Sequence, residues 1–258
     1  MTRSRWILLS AFFATLFLIG WVWWPLVKEY IESFNPLKPW FGQVDWLLIG
    51  IFMAMTFLIM SRADLRADGG LILVGLAGGF AIESWGTQTG LWSYYTGERP
   101  PLWILPAWPI ATLSIDRIVR AFRARAPAGH RPRYVFVKGV TMGAFLVMMI
   151  AFVRPYLDHP ATVAALVLSA GLVFLPSDPR EFMLTFAAGA GLGLFLEIWG
   201  TTRGCWIYYT LETPPLFAVL AHGMAAVAFV RALEIVMKWP PLLSRLALAR
   251  PRGTVAGK

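Results

Sequence analysis

Cysteine is nearly missing from this 258-residue chain. Its one thiol, Cys205, has no partner for an intramolecular disulfide and rules out a multi-cysteine metal site. Histidine is almost as scarce. His130 in a basic stretch, His159 in a short loop and His222 in the last apolar run are too few and too scattered for paired axial haem ligands or a histidine-rich metal centre. Charge is thin too, with Asp, Glu, Lys and Arg making up 14% of the residues. There is no phosphate-binding glycine loop, no nucleophile elbow and no dinucleotide fingerprint following a strand, so neither a metal nor a cofactor is expected.

In their place stands apolar sequence. Hydrophobic residues are 58% of the chain and the mean hydropathy is +0.63, far from the balance of a soluble domain. The expected fold class is all-α, a polytopic membrane helix bundle. Apolar runs over 6–27, 44–60, 70–84, 102–119, 134–153, 161–175, 182–199 and 215–237 are the candidate spans, about eight in all. The third and sixth are the shortest against the ~20 residues that cross a bilayer upright. Pro106, Pro109 and Asp116 in the fourth suggest a kinked helix with a buried or interfacial carboxylate. The first follows Arg3 and Arg5 and is trailed by Trp21, Trp23 and Trp24 instead of a small-residue cleavage site, so it reads as a retained helix.

Threading the chain through eight spans with both termini in the cytoplasm leaves Lys28, Lys38, Arg99, Arg154 and Arg203 outside and all the rest of the 23 lysines and arginines inside. That bias supports the orientation and an inner-membrane location. Basic inner loops beside an anionic leaflet account for the net charge of +9 without nucleic acid. The expected division is a first membrane repeat (1–122), a basic cytoplasmic linker (123–133), a second repeat (134–238) and a basic cytoplasmic tail (239–258).

The repeat is carried by one motif. Residues 83–102 return as 197–216 without a gap, at an offset of 114 (197 − 83), with thirteen of twenty positions identical. Four spans per half return the chain to its starting side, which makes the halves parallel and sets both motifs on the outer face. Asp64 and Arg66 match Asp178 and Arg180 at the same offset, whereas the first two helices of each half share no clear identities. Ahead of each motif, Gly75, Gly79 and Glu83, like Gly189, Gly193 and Glu197, fall at i, i+4 spacing, so each glutamate shares a helix face with a Gly-x-x-x-Gly groove that packs on protein.

Glu83 and Glu197 are the candidate catalytic carboxylates. The bland alternative has them accept hydrogen bonds from Thr87, Thr201 or loop backbone and merely tie the turn to the helix. Trp85, Trp92, Tyr94 and Tyr95, with Trp199, Trp206, Tyr208 and Tyr209, read either as an interfacial aromatic belt or, joined by Thr87 and Thr201, as the substrate-binding wall of a pocket, with Glu98 and Glu212 at its exit. Gly86, Gly90, Gly200 and Gly204 imply tight turns within a folded re-entrant or interfacial loop, and Pro100-Pro101 and Pro214-Pro215 close each loop at the next helix. His222 aligns with Trp108 and reads as a packing residue.

Glu83-x-x-Gly86-x-x-Thr89-Gly90, followed by an aromatic, Tyr-rich stretch, resembles the signature of the carotenoid hydratase-like membrane proteins of carotenoid biosynthesis. The aromatic stretch is about two residues shorter here, and the second copy has Arg203 where the first has Thr89. The resemblance implies addition of water to a terminal double bond of an acyclic carotenoid or other polyprenyl chain. One glutamate would act as acid and the other as base. Trp85, Trp92, Trp199 and Trp206 would stabilise the cation. The partner it implies is a membrane lipid or polyprenyl substrate. Two other classes stay open: a transporter or channel with paired glutamates on a pseudo-twofold axis, and a non-catalytic membrane subunit docking a membrane-complex or periplasmic partner.

Overall fold

The computed structural model describes residues 2–125 and 131–238, so His130 and the expected tail 239–258 lie outside the described residues. Nine α-helices and two short strands are described: α1 (Arg3–Val22), α2 (Trp24–Glu32), α3 (Trp46–Ser61), α4 (Leu65–Thr89), β1 (Trp92–Tyr94), α5 (Ala107–Arg125), α6 (Arg131–Val153), α7 (Pro160–Val173), α8 (Pro179–Thr202), β2 (Trp206–Tyr208) and α9 (Leu216–Lys238). Six of them, α1, α4, α5 with the turn before it, α6, α8 and α9, are long and apolar enough to cross a membrane; α3 and α7 are shorter apolar helices.

The expected third span corresponds to one of the longest helices. Asp64 caps the amides of Arg66 and Ala67, which starts α4 five residues before the apolar run, and left-handed Gly90 ends it. Asp178 caps Arg180 and Glu181 in the same way at the head of α8, so the matched Asp and Arg pairs mark two equivalent helix starts. The expected fourth span opens with a 3₁₀ turn, Leu102–Ile104, before α5 begins at Ala107. Pro106 precedes α5 and Pro109 sits in its first turn, where a missing amide hydrogen breaks no helical bond. The expected linker is also shorter than 123–133, because α5 runs through Arg125 and α6 begins at Arg131.

Helices α4, α5, α8 and α9 form the centre, with α4 against α5 and α9, and α8 against α5 and α9. Glycine makes these approaches possible. A Cβ on Gly79 would stand 2.3 Å from Trp108, and one on Gly193 would stand 2.4 Å from His222. Both Gly-x-x-x-Gly faces therefore pack on protein, as expected. One end of the bundle gathers the basic residues. There Arg117 is buried against Asp68 at 2.7 Å and donates to the Arg62 carbonyl, Arg123 pairs with Glu181, and Arg231 donates to the Pro176 carbonyl. At the opposite end, the motif end, β1 and β2 pair antiparallel: Trp92 with Tyr208, Ser93 with Ile207 and Tyr94 with Trp206. At an offset of 114 this register is its own mirror, with Ser93 and Ile207 at its centre. Helix α2 and the chain to Trp46 have no counterpart between α6 and α7, where the six residues 154–159 suffice.

Candidate functional site: two buried carboxylates under a strand pair

Each motif folds its aromatics back onto the helix it follows. Gly86 and Gly200 allow this, since a Cβ on either would lie 1.9 Å from the indole of Trp92 or Trp206. Laid against the glycine, each indole brings its N–H to the glutamate one turn earlier. Glu83 and Glu197 are both buried, at 3% exposure each.

Glu83 accepts three side-chain hydrogen bonds: Oε2 from Trp92 Nε1 at 3.1 Å, and Oε1 from Tyr94 Oη at 2.9 Å and Trp108 Nε1 at 3.1 Å. Glu197 repeats the arrangement with one replacement. Its Oε2 accepts from Trp206 Nε1 at 3.0 Å and its Oε1 from Tyr208 Oη at 2.8 Å, while the third partner, at 2.9 Å from Oε1, is His222 Nε2. Burial first, and then the adjacent carboxylate, hold the Tyr94 and Tyr208 phenols well above the ordinary tyrosine range, so each remains a donor. The two nests touch. Trp108 and His222 stack with centroids 6.1 Å apart and planes 19° apart, and across the strand pair Trp92 meets Tyr208 and Tyr94 meets Trp206, each at 6.0 Å.

Several sequence expectations are corrected here. Thr87 and Thr201 do not bond the carboxylates; each hydroxyl donates to the backbone carbonyl of the glutamate four residues earlier, at 2.6 Å. Tyr95 and Tyr209 point away from the nests and pin the loops, to the carbonyl of Val22 and, at 2.6 Å, to that of Phe152. Glu98 and Glu212 are exposed on the loops, outside the buried cluster. Trp85 and Trp199 stand behind Trp92 and Trp206 as edge-on neighbours, and their N–H groups cross to the other half, Trp85 to Thr162 at 3.3 Å and Trp199 to Asp45 at 3.0 Å. His222, read as a packing residue, is a carboxylate partner.

Two features were not read from the sequence. Asp45 caps α3 through the Leu48 amide and also receives Trp199 and Arg203, so the arginine that breaks the repeat at the Thr89 position serves an ion pair that ties α3 to the second motif. An aspartate just before an apolar run is a capping signal that would have marked it. The strand pair left no such signal, because three residues are too few to display an alternation. No protein-family model, curated protein or solved structure matches the chain.

Proposed function

We propose that this protein is an integral membrane enzyme that adds water to a terminal double bond of an acyclic carotenoid or other polyprenyl chain, with Glu197 and His222 as its acid–base pair. The observation that carries the reading is the 2.9 Å contact between a buried carboxylate and an imidazole, inside a nest otherwise built from aromatic donors. An indole N–H donates only, whereas an imidazole nitrogen donates or accepts. A proton on Glu83 would find an acceptor only in Tyr94, which would then have to surrender its own bond. Glu83 therefore lacks a ready acceptor for a proton, and the sharing of roles between the two glutamates gives way to one reactive pair in the second half.

In this reading the Glu197 carboxylic acid protonates the less substituted carbon of the alkene, leaving a tertiary cation and the Glu197 carboxylate. Water adds to the cation as His222 takes a proton from it, which yields a tertiary alcohol. His222 then returns that proton to Glu197 across their hydrogen bond. The sum is alkene plus water to alcohol, with the pair restored. The faces of Trp92, Trp206, Tyr94 and Tyr208 lower the energy of the cation.

The topology that accompanies this reading has eight crossing helices in two parallel repeats, the basic end facing the cytoplasm and the motif end the outer side of an inner membrane. It is supported by the common direction of α4 and α8 and by the arginines gathered at one end. A periplasm-active reporter fused at Gly97 is expected to be active, and a cytoplasmic signal there would reverse the orientation. The activity is tested by expressing the chain in cells that make an acyclic carotenoid and analysing their extracted pigments. Hydrated product is expected from the unaltered protein, and its absence would remove the reading.

A second reading, a membrane subunit that docks a partner, is favoured by one observation. Trp24, Trp40 and Phe41 stand exposed on the insertion before α3, as does Trp46 at the head of α3, beside the motif loops. Co-purification of a stable partner, lost when this insertion is shortened, would support it.

A further inference from the structure

Below the two nests, towards the basic end, the central helices part. Gly75 and Gly189 lie one turn beneath Gly79 and Gly193, and a Cβ on either would stand 2.9 Å from Thr112 Oγ1 or Ala226 Cβ respectively. Thr112 and Ala226 are in turn one helical turn from Trp108 and His222 and share their faces. A cleft of about 290 Å³ begins at this level, between α5 and α9, and runs to the basic end. Thr112, Thr185 and Ser177 give its wall hydroxyls, and Arg123, Glu181 and Arg231 stand towards its mouth. The stacked rings of Trp108 and His222 lie one helical turn beyond Thr112 and Ala226, the residues of α5 and α9 that line the cleft nearest the nests.

One helical turn from the cleft wall, His222 is the more open member of the pair. Its side chain is 22% exposed while that of Glu197, its partner, is 4% exposed, so the imidazole is the accessible member of the pair. Nε2 is committed to Glu197, which leaves Nδ1 as the nitrogen able to meet a proton or water arriving from elsewhere. At the motif end the way is filled: Leu91, Tyr94, Cys205 and Tyr208 are buried beneath the strand pair.

We propose that this central cleft is the route by which water and protons from the basic-end side reach the Glu197–His222 pair, with His222 as its terminus. The proposal rests on the acid–base reading of that pair, but it fixes something the reading leaves open, the side of the membrane that supplies the water.

The test uses the near absence of cysteine, since native Cys205 is buried and supplies the blank. Thr112→Cys and Thr185→Cys are conservative changes, and Ser177→Cys marks the mouth. Each is exposed in oriented membrane vesicles to a small, charged, membrane-impermeant thiol reagent. Labelling of all three from the basic-end side, at least tenfold faster than from the motif-end side, is expected. Diethyl pyrocarbonate modification of His222, read by peptide mass spectrometry, should then fall at least tenfold once Thr112→Cys is blocked, while that of His159 at the motif end stays unchanged. No labelling at 112 and 185, equal labelling from both sides, or unchanged modification of His222 would overturn the route. The labelling reads no product. A labelled cleft in a protein that makes no alcohol therefore removes the hydration reading and keeps the route, and alcohol formed over an unlabelled cleft removes the route alone.

Discussion

Glu83 and Glu197 sit in nests that differ by one ring, and an amide in place of the carboxylate exposes the difference. Glu83 receives an indole N–H on each oxygen. A glutamine there must turn its NH₂ towards one of those indoles, leaving two donors facing each other, and a buried unpaired donor costs about 1–3 kcal/mol. At position 197 the amide oxygen can take Trp206 while its NH₂ meets Tyr208 Oη and the accepting tautomer of His222. Thermal unfolding in detergent is therefore expected to show Glu83→Gln clearly destabilised and Glu197→Gln close to the unaltered protein; equal losses would mean that the two carboxylates do the same work. Cys205 makes a second prediction. Burial pushes its thiol up to about 12, so it stays neutral at ordinary pH. A maleimide at pH 8 should leave the folded protein unlabelled and react after denaturation, and rapid labelling of the folded protein would show the strand pair to be open. At this scale the sequence identified the two glutamates and their aromatic neighbours by repetition alone. It could not distinguish Thr87, whose hydroxyl turns back on its own helix, from Trp108, which comes from the next helix 25 residues on, because nothing local encodes a side chain's direction across a helix pair.

Each motif works as a unit in which a helix end, a left-handed glycine and a three-residue strand aim one indole at one carboxylate. Gly86 and Gly200 are its weakest points. Alanine at either drives a methyl into a rigid ring system, an overpacking that costs about 1–3 kcal/mol in ordinary cores and here also displaces an indole N–H from its carboxylate. Gly86→Ala and Gly200→Ala are expected to lower the yield of monodisperse protein on size exclusion, whereas Gly191→Ala on the same α8, with open space at its Cβ, should not. Full tolerance of alanine at 86 and 200 would contradict the packing described. The elements were legible where one period runs long. The Gly-x-x-x-Gly faces and most helices follow from spacing, while the start of α4 and the start of α5 follow from capping by Asp64 and from the placement of Pro106 and Pro109, local details that an apolar run conceals. The two copies have also drifted. Leu211 holds a left-handed backbone, φ 59°, where the first copy has Gly97, so conformation has outlasted the residue that suits it.

Over the whole molecule, duplication supplies two equivalent nests and a single substitution makes them unequal. Trp108 in the first half and His222 in the second occupy the same place, stack on each other, and sit on glycines that leave them comparable room. The repeated motif was plain in the sequence; that this one mismatch falls on the carboxylate was not, because the offset aligns the two residues without showing what they touch. The mismatch also provides the most direct test. Trp108 is a working precedent for indole at this site, so His222→Trp should preserve the fold and the hydrogen bond to Glu197 while removing the imidazole that can both take and return a proton. The measurement is the rate at which purified His222→Trp and unaltered protein convert an acyclic polyprenyl substrate to its tertiary alcohol, compared at equal thermal stability. Alcohol from the unaltered protein and a loss of at least a hundredfold in the variant is the predicted result, and alcohol formed by His222→Trp at the unaltered rate would contradict it.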